Sequence, residues 1–425
     1  MNKSVLASLS IFVLMVILLC TNVKPGYAES DKSKPKSLAE VKTGNMDTSA
    51  VKSQKMKPSV HVFMENSGSM YGYIQSNSKF DSNLPFVKAV GGMLVNIINT
   101  EFTDLTNLHV YYINTKPFEQ KCSVSSFIQN LNVHNAHTWG NGATTMLSTL
   151  LDTTFNYAGK NSLAVFVSDC IFSPKQGVSA SSLLTSEEMN IVTMMAKHKG
   201  CAVLIYQLHS NFSGKYYDCL NRPHNFNGMR PYYVIVAGSR ALIRRFYSKV
   251  KLDGGYTHVF GIFPAPKSVK YNAHITAGSG QVDNATILSK CRADKQSKKF
   301  AFSVDVDFSN FPISNKVLLD PKNYAVSNGH YKISGITKSR MPGKTHSIKL
   351  VYDNVSTISP GNIQIELKQQ IPTWVSESST MDDRLWDESQ YDKTFGFENM
   401  VKALYKATYQ SDRPTTLAKM TITIK

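Results

Sequence analysis

Between residues 58 and 250, short apolar runs alternate with longer stretches whose apolar residues recur every three or four positions. No other feature restricts the fold as much. Val60–Met64, Leu108–Ile113, Leu163–Val167, Ala202–Tyr206 and Tyr232–Ala237 read as strands. Between them, Asn83-Leu84-Pro85 opens a helix with a cap residue and an early proline, and Phe86, Val90, Met93, Leu94, Ile97 and Ile98 share one of its faces. Met146–Phe155 turns Leu147, Leu150, Leu151 and Phe155 inward. Ser186–Lys197 and a run through Leu242, Phe246 and Val250 complete the helical set. Strands separated by helices predict an α/β fold, a doubly wound and mostly parallel sheet.

Residues 251–425 carry a different period. Phe300, Phe302, Val304, Val306 and Phe308 alternate with mostly polar residues, as do Ile348, Leu350 and Tyr352, then Ile363, Ile365 and Leu367, then Met420, Ile422 and Ile424. Period two between Gly, Pro and Asn turns predicts antiparallel strands with one wet face: a β-rich, sandwich-like domain interrupted by one helix near Phe397–Tyr405. Trp374 and Trp386 lie in an acidic stretch with Glu377, Asp382, Asp383, Asp387 and Glu388. Its spacing matches no calcium loop, and it reads as an exposed linker.

The amino end reads as an export signal. A short basic stretch at Met1–Ser4 precedes an apolar run from Val5 to Cys20, and Gly26-Tyr27-Ala28 supplies the small residues of a cleavage site. The expected precursor is a signal peptide (1–28), a flexible Lys/Ser-rich tether (29–57), an α/β domain (58–250) and a β-rich accessory domain (251–425). Such a protein is exported: periplasmic, held at the cell envelope, or secreted. Membrane contact comes only through the signal or through lipidation of Cys20, where Leu19 stands in place of the small residue a lipidation site prefers. Loss of residues 1–28 removes Lys3 and Lys24 and no acid, lowering the formal charge from +17 to +15. That charge favours acidic partners. No nucleic-acid motif accompanies it, so diffuse solubilising lysine is the plainer reading. Cys122, Cys170, Cys201, Cys219 and Cys291 are an odd set at irregular spacing, which is no disulfide framework, and Cys170 and Cys201 read as small core residues.

The candidate site starts where the first strand ends, at Glu65-x-Ser67-x-Ser69. Carboxylate and hydroxyl oxygens at alternate positions of such a turn can converge on one hard divalent cation, and open α/β sheets bind ligands at the carboxyl ends of their strands. Two later segments fit the same end: Gly140-Asn141-Gly142-Ala143-Thr144-Thr145 before the Met146 helix, and Asp169 just beyond the Leu163–Val167 strand.

Together these three loops resemble the von Willebrand factor A family, whose metal-ion-dependent adhesion site carries an Asp-x-Ser-x-Ser loop, a threonine after a Gly-rich turn and a later aspartate. The resemblance covers about 190 residues, an ordinary domain size. It implies a Rossmann-type sheet, a Mg2+ or Mn2+ ion held by Glu65, Ser67, Ser69, Thr144 (or Thr145) and Asp169, and a protein ligand whose carboxylate completes the shell. Glu65 departs from the pattern. It stands where the family has Asp, and its extra methylene displaces the carboxylate by roughly 1.5 Å. Tyr71 and Tyr73 follow the loop and, with Thr145, are candidate ligand-contacting residues, tyrosine being common at binding hot spots; a tyrosine cover over the sheet end is the competing reading.

The function expected on these grounds is binding without turnover, in adhesion or assembly at the cell envelope. Two alternatives stand beside it. One is a metal-dependent hydrolase of phosphate or ester substrates. The G-x-S-x-G elbow is absent around Ser67 and Ser69, and no spacing ties a histidine to either serine. The other is a scaffold whose metal site has decayed. His134 and His137 read as loop residues, His61 as a packed strand histidine, and Arg240, Arg244 and Arg245 as a solvated helix face that could bind an anion.

Overall fold

The first apolar run forms β1 (Ser59–Glu65), followed by β2 (Leu108–Ile113), the short β3 (Pro117–Glu119), β4 (Ser162–Ser168), β5 (Ala202–Tyr217), β6 (Pro223–Gly238) and β7 (His258–Ile262). In the computed structural model these strands make one sheet in the order β3-β2-β1-β4-β6-β5-β7. The structure describes residues 56–74, 84–139, 146–173, 178–264, 267–309, 311–353, 357–411 and 413–425. The expected signal peptide, Cys20, nearly all of the tether, Thr144 and Thr145 lie outside the described residues. All described residues fall within one compact unit, Lys55–Lys425.

The sheet is mixed. β1 runs parallel to both β2 and β4, while β6 runs antiparallel to β4 and to β5, and β7 antiparallel to β5. A tight connection between β5 and β6 forces the reversal, since parallel neighbours need a long crossover. Both strands are 16 residues long, well beyond the apolar cores seen in sequence. Pairing continues out to Tyr217 opposite Pro223, so the hairpin projects as an arm past the sheet.

Helices cover both faces. Helix α1 (Pro85–Asn99) has proline at its first position and Leu84 as its cap, and α4 (Arg240–Lys249) is capped by the Ser239 side chain. Their apolar residues pack on the face carrying Val60, Val62 and Met64. The opposite face, with Phe63 and Phe166, meets α2 (Leu147–Phe155), α3 (Ala180–Lys197) and α5 (Phe397–Tyr409). β7 and α5 lie beyond residue 250 in sequence, and α5 packs beside α3, so this layered half draws on both sides of that position.

The rest of the unit is β-rich. Strands Tyr271–Ala277, Phe300–Val306, Lys332–Lys338 and His346–Tyr352 form a four-stranded antiparallel sheet. A six-stranded sheet centres on Gly361–Gln369 and Thr415–Ile424. Phe302, Val304, Ile348 and Leu350 from one sheet and Ile363, Ile365, Met420 and Ile422 from the other join one apolar cluster, as period-two alternation requires. Among the described residues no helix is long and apolar enough to cross a membrane.

Candidate metal centre

Parallel pairing puts the carboxyl ends of β1, β2 and β4 on one rim. Glu65 is in register with Ile113, and Met64 with Val167. The turn after β1 therefore faces the residues after β4. Ser67 and Ser69 point together, their hydroxyl oxygens 3.0 Å apart, and Met70 N donates to Ser67 O at 3.1 Å. Asn66 ties the turn to the approaching third segment: its side-chain amide donates to Ala136 O at 2.8 Å and to Trp139 O at 2.6 Å. Trp139, the last described residue before the Gly-rich segment, is thereby held beside the end of β1. After the described chain resumes at Met146, buried Glu187 accepts from Ser148 N at 2.9 Å and Ser148 Oγ at 2.8 Å, anchoring the first turn of α2.

The expected ligands split into two groups. Glu65 is buried, and its Oε2 accepts from the Ser168 hydroxyl; Ser168 Oγ in turn accepts from Cys170 N at 2.7 Å. This chain clamps the end of β1 to the end of β4. It also accompanies a left-handed backbone at Cys170, φ 55°, uncommon for a residue other than glycine. Asp169 lies between these anchors, almost wholly buried. Its backbone N–H faces Met70 Sδ at 3.2 Å, and its Oδ1 accepts from Ile171 N at a long 3.4 Å. Its Oδ2 has no hydrogen-bond partner among the described residues, nor do Asn66 Oδ1 and the Tyr71 hydroxyl. Burial pushes the Asp169 carboxyl above its ordinary range, while the Ser69 hydroxyl and the Arg230 charge pull the other way. Buried polar atoms are nearly always paired, so the unpartnered Asp169 oxygen on the rim that carries Ser67 and Ser69 suits a hard cation with oxygen ligands. No cluster of three His, Cys, Asp or Glu side chains with metal-holding geometry occurs among the described residues; a centre here relies on hydroxyls.

The two tyrosines part company. Tyr71 is half-buried, its ring centroid 4.3 Å from that of His137, so one histidine of the H-x-x-H pair reaches this rim as a packing partner. Tyr73 is not at the rim. It is fully buried among Phe86, Phe212 and Tyr232, and its hydroxyl donates to Pro231 O at 2.5 Å. The sequence places it two residues from Tyr71, but a single 3-10 turn, Met70–Tyr73, rotates it into the core beneath the hairpin arm. Gly72 permits this closeness. A Cβ there would overlap the Phe212 ring, and one on Gly214 would sit 2.9 Å from Gly72 Cα.

Sequence reading missed the arm and what pins it. Arg230 on β6 is fully buried, donating to Tyr391 O and Lys393 O at 3.0 Å each and stacking its guanidinium 4.2 Å from the Tyr216 ring. Trp386 stacks on the other partner, Tyr216, at 3.9 Å. Asp383 accepts from the Tyr216 hydroxyl and from Cys219 N at 2.6 Å. The acidic Trp374–Trp386 segment is thus a strap over the arm and not an exposed linker. Asp383, its one buried acid, looked solvated because its partners lie about 160 residues away, while Glu377, Asp382, Asp387 and Glu388 are exposed as expected. His61 is a packed histidine, stacked 4.9 Å from His109 and lowered to about 4, chiefly by burial. Arg245 is drawn off the α4 surface to Glu101 O at 2.8 Å. Cys170 and Cys219 are buried and free, and burial raises both thiols.

The chain matches no family model, no curated protein and no solved structure.

Proposed function

We propose that this is an exported, non-catalytic binding protein, von Willebrand A-like in its first half, that takes an acidic protein ligand through a divalent cation, Mg2+ or Mn2+, at the β1–β4 rim. One observation carries the reading: Asp169 presents a buried carboxylate oxygen without a partner, on the same rim as the paired hydroxyls of Ser67 and Ser69. Within this reading Ser67, Ser69 and Asp169 hold the ion, and Thr144 or Thr145 adds a hydroxyl. Glu65 is a positioning residue. Its longer side chain reaches Ser168 and fixes the turn that carries Asp169. When bound, the cation supplies positive charge that hydroxyl ligands leave uncompensated, and so attracts an outside carboxylate. Arg230 has two opposed effects. Its charge opposes the upward push of burial on the Asp169 carboxyl without overcoming it, and it also repels a cation, which weakens metal binding.

The hydrolase alternative needs a base for Ser67 or Ser69, whose hydroxyls pair with each other while His137 packs on Tyr71. Pull-down of envelope proteins with the mature chain, with and without Mg2+ and repeated with Ser69→Ala, tests the proposal. Metal-dependent capture that the substitution abolishes supports it. Capture indifferent to both chelator and substitution ends it, and hydrolysis of generic esters that Ser69→Ala removes would replace it with the enzyme reading.

A further inference from the structure

The four-stranded sheet carries a second polar cluster, remote in sequence from the β1–β4 rim. Along Phe300–Val306, Phe302, Val304 and Val306 enter the core, and Ser303 and Asp305 take the opposite face. Register places Asp305 between Asn272 and Ser347, with Thr337 beyond, and Ser303 between His274 and Lys349. An aspartate on the outer face of a sheet is ordinarily solvated, yet Asp305 is 3% exposed. The segment after strand Lys332–Lys338 folds back over it. Ser339 Oγ donates to Asp305 Oδ1 at 2.6 Å, and Met341 N donates to Ser339 Oγ at 3.0 Å. On the other side His274 Nδ1 lies 2.9 Å from Asp305 Oδ2, with its side chain 44% exposed. Beside the pair opens a cleft of about 450 Å3, lined by His274, Thr337, Lys338, Arg340 and Ser347 above Asp305.

We propose that this cleft binds a tetrahedral oxyanion, a phosphate or sulfate group. The one acid lining it, Asp305, is buried and accepts from Ser339 Oγ, with His274 Nδ1 2.9 Å away, so the exposed Lys338 and Arg340 bring charge that an incoming anion can neutralise. Arg340 offers a planar fork suited to two anion oxygens, and Lys338 a point charge. Thr337 and Ser347 offer hydroxyl donors. His274 lines the same cleft beside them. The strongly basic chain, +17 formal charge, steers anions toward it.

The test is isothermal titration of inorganic phosphate, inorganic sulfate and glycerol phosphate into the mature chain, alongside Lys338→Ala and Arg340→Ala. Both substituted residues are exposed, so folding is retained, and circular dichroism checks this. Saturable binding at millimolar concentration or tighter, weakened about tenfold by each substitution, is the expected result. Equal binding of glycerol phosphate marks the site as one for esterified groups, and binding of the inorganic ions alone marks it as one for free anions. No saturable heat up to tens of millimolar, or binding unchanged in both variants, overturns the proposal.

Discussion

Asp169→Asn separates a ligand waiting for its ion from a structural aspartate. Without metal, the wild-type carboxylate is buried with a long hydrogen bond from Ile171 N, the Ser69 hydroxyl acting on it, and Oδ2 unpartnered. An incompletely paired buried polar group costs about 1–3 kcal/mol. Burial outweighs Ser69 and Arg230, so the folded carboxyl binds its proton more tightly than the unfolded one. The sign follows from that direction. Stability due to this group is fully present at acid pH, below the unfolded carboxylate range, and is lost as pH rises through the raised folded value. D169N removes the loss. It should therefore equal wild type near pH 4 and exceed it by about 1 kcal/mol near pH 8, some 2 °C in Tm for a unit this large. Added Mg2+ reverses the order. At a hundred times the dissociation constant it stabilises wild type by about 2.7 kcal/mol and leaves D169N unmoved. Differential scanning fluorimetry at pH 4, 6 and 8, with and without Mg2+, reads all of this. A D169N protein that is several degrees less stable than wild type without metal would show that Asp169 serves as an anchor for Arg230, and the reasoning would fail.

Four further outcomes follow from the geometry. Gly72→Ala forces a methyl group into the Phe212 ring and should cost about 1–3 kcal/mol, measured by urea unfolding. Tyr73→Phe should cost about 0.5–1.5 kcal/mol by removing the bond to Pro231 O, with no change in metal response, because Tyr73 is core. Trp386→Ala unstacks Tyr216 and releases the strap, so amide exchange in residues 208–232 should accelerate more than in β1 or β4. His61, lowered to about 4 in the fold from an ordinary 6.5, contributes stability present above pH 6.5 and lost as pH falls toward 4; His61→Gln should flatten that part of the pH–stability curve, and an unchanged slope would remove His61 as its source.

The layered half was legible because its signals are local. Val60–Met64, Leu108–Ile113 and Leu163–Val167 are apolar for want of a wet face, and Pro85 fixes where α1 begins. The rim was legible for the same reason, since strand, turn and oxygen-bearing residues are contiguous around Ser67 and again around Asp169. Everything settled by distant partners was hidden. The outer half of β5 alternates exposed with buried residues and that of β6 exposed with half-buried ones, in an arm pinned by Asp383, Trp386, Tyr391 and Lys393. Arg230 looks like any surface arginine until the carbonyls of Tyr391 and Lys393 and the ring of Tyr216 enclose it. Asp305 reads as the polar member of an alternating strand, and only the return of Ser339 buries it. β7 was too short, at five residues, and too close to its flanking glycines to stand out as a strand.

The central claim is that oxygens from separate segments, meeting where β1 and β4 end, hold a divalent ion. Calorimetric titration of Mg2+ and Mn2+ into the mature protein, with Ser67→Ala beside it, tests this directly. Saturable heat at millimolar metal or below, lost in Ser67→Ala, is the expected result; no heat in the wild-type protein at millimolar metal would contradict the account.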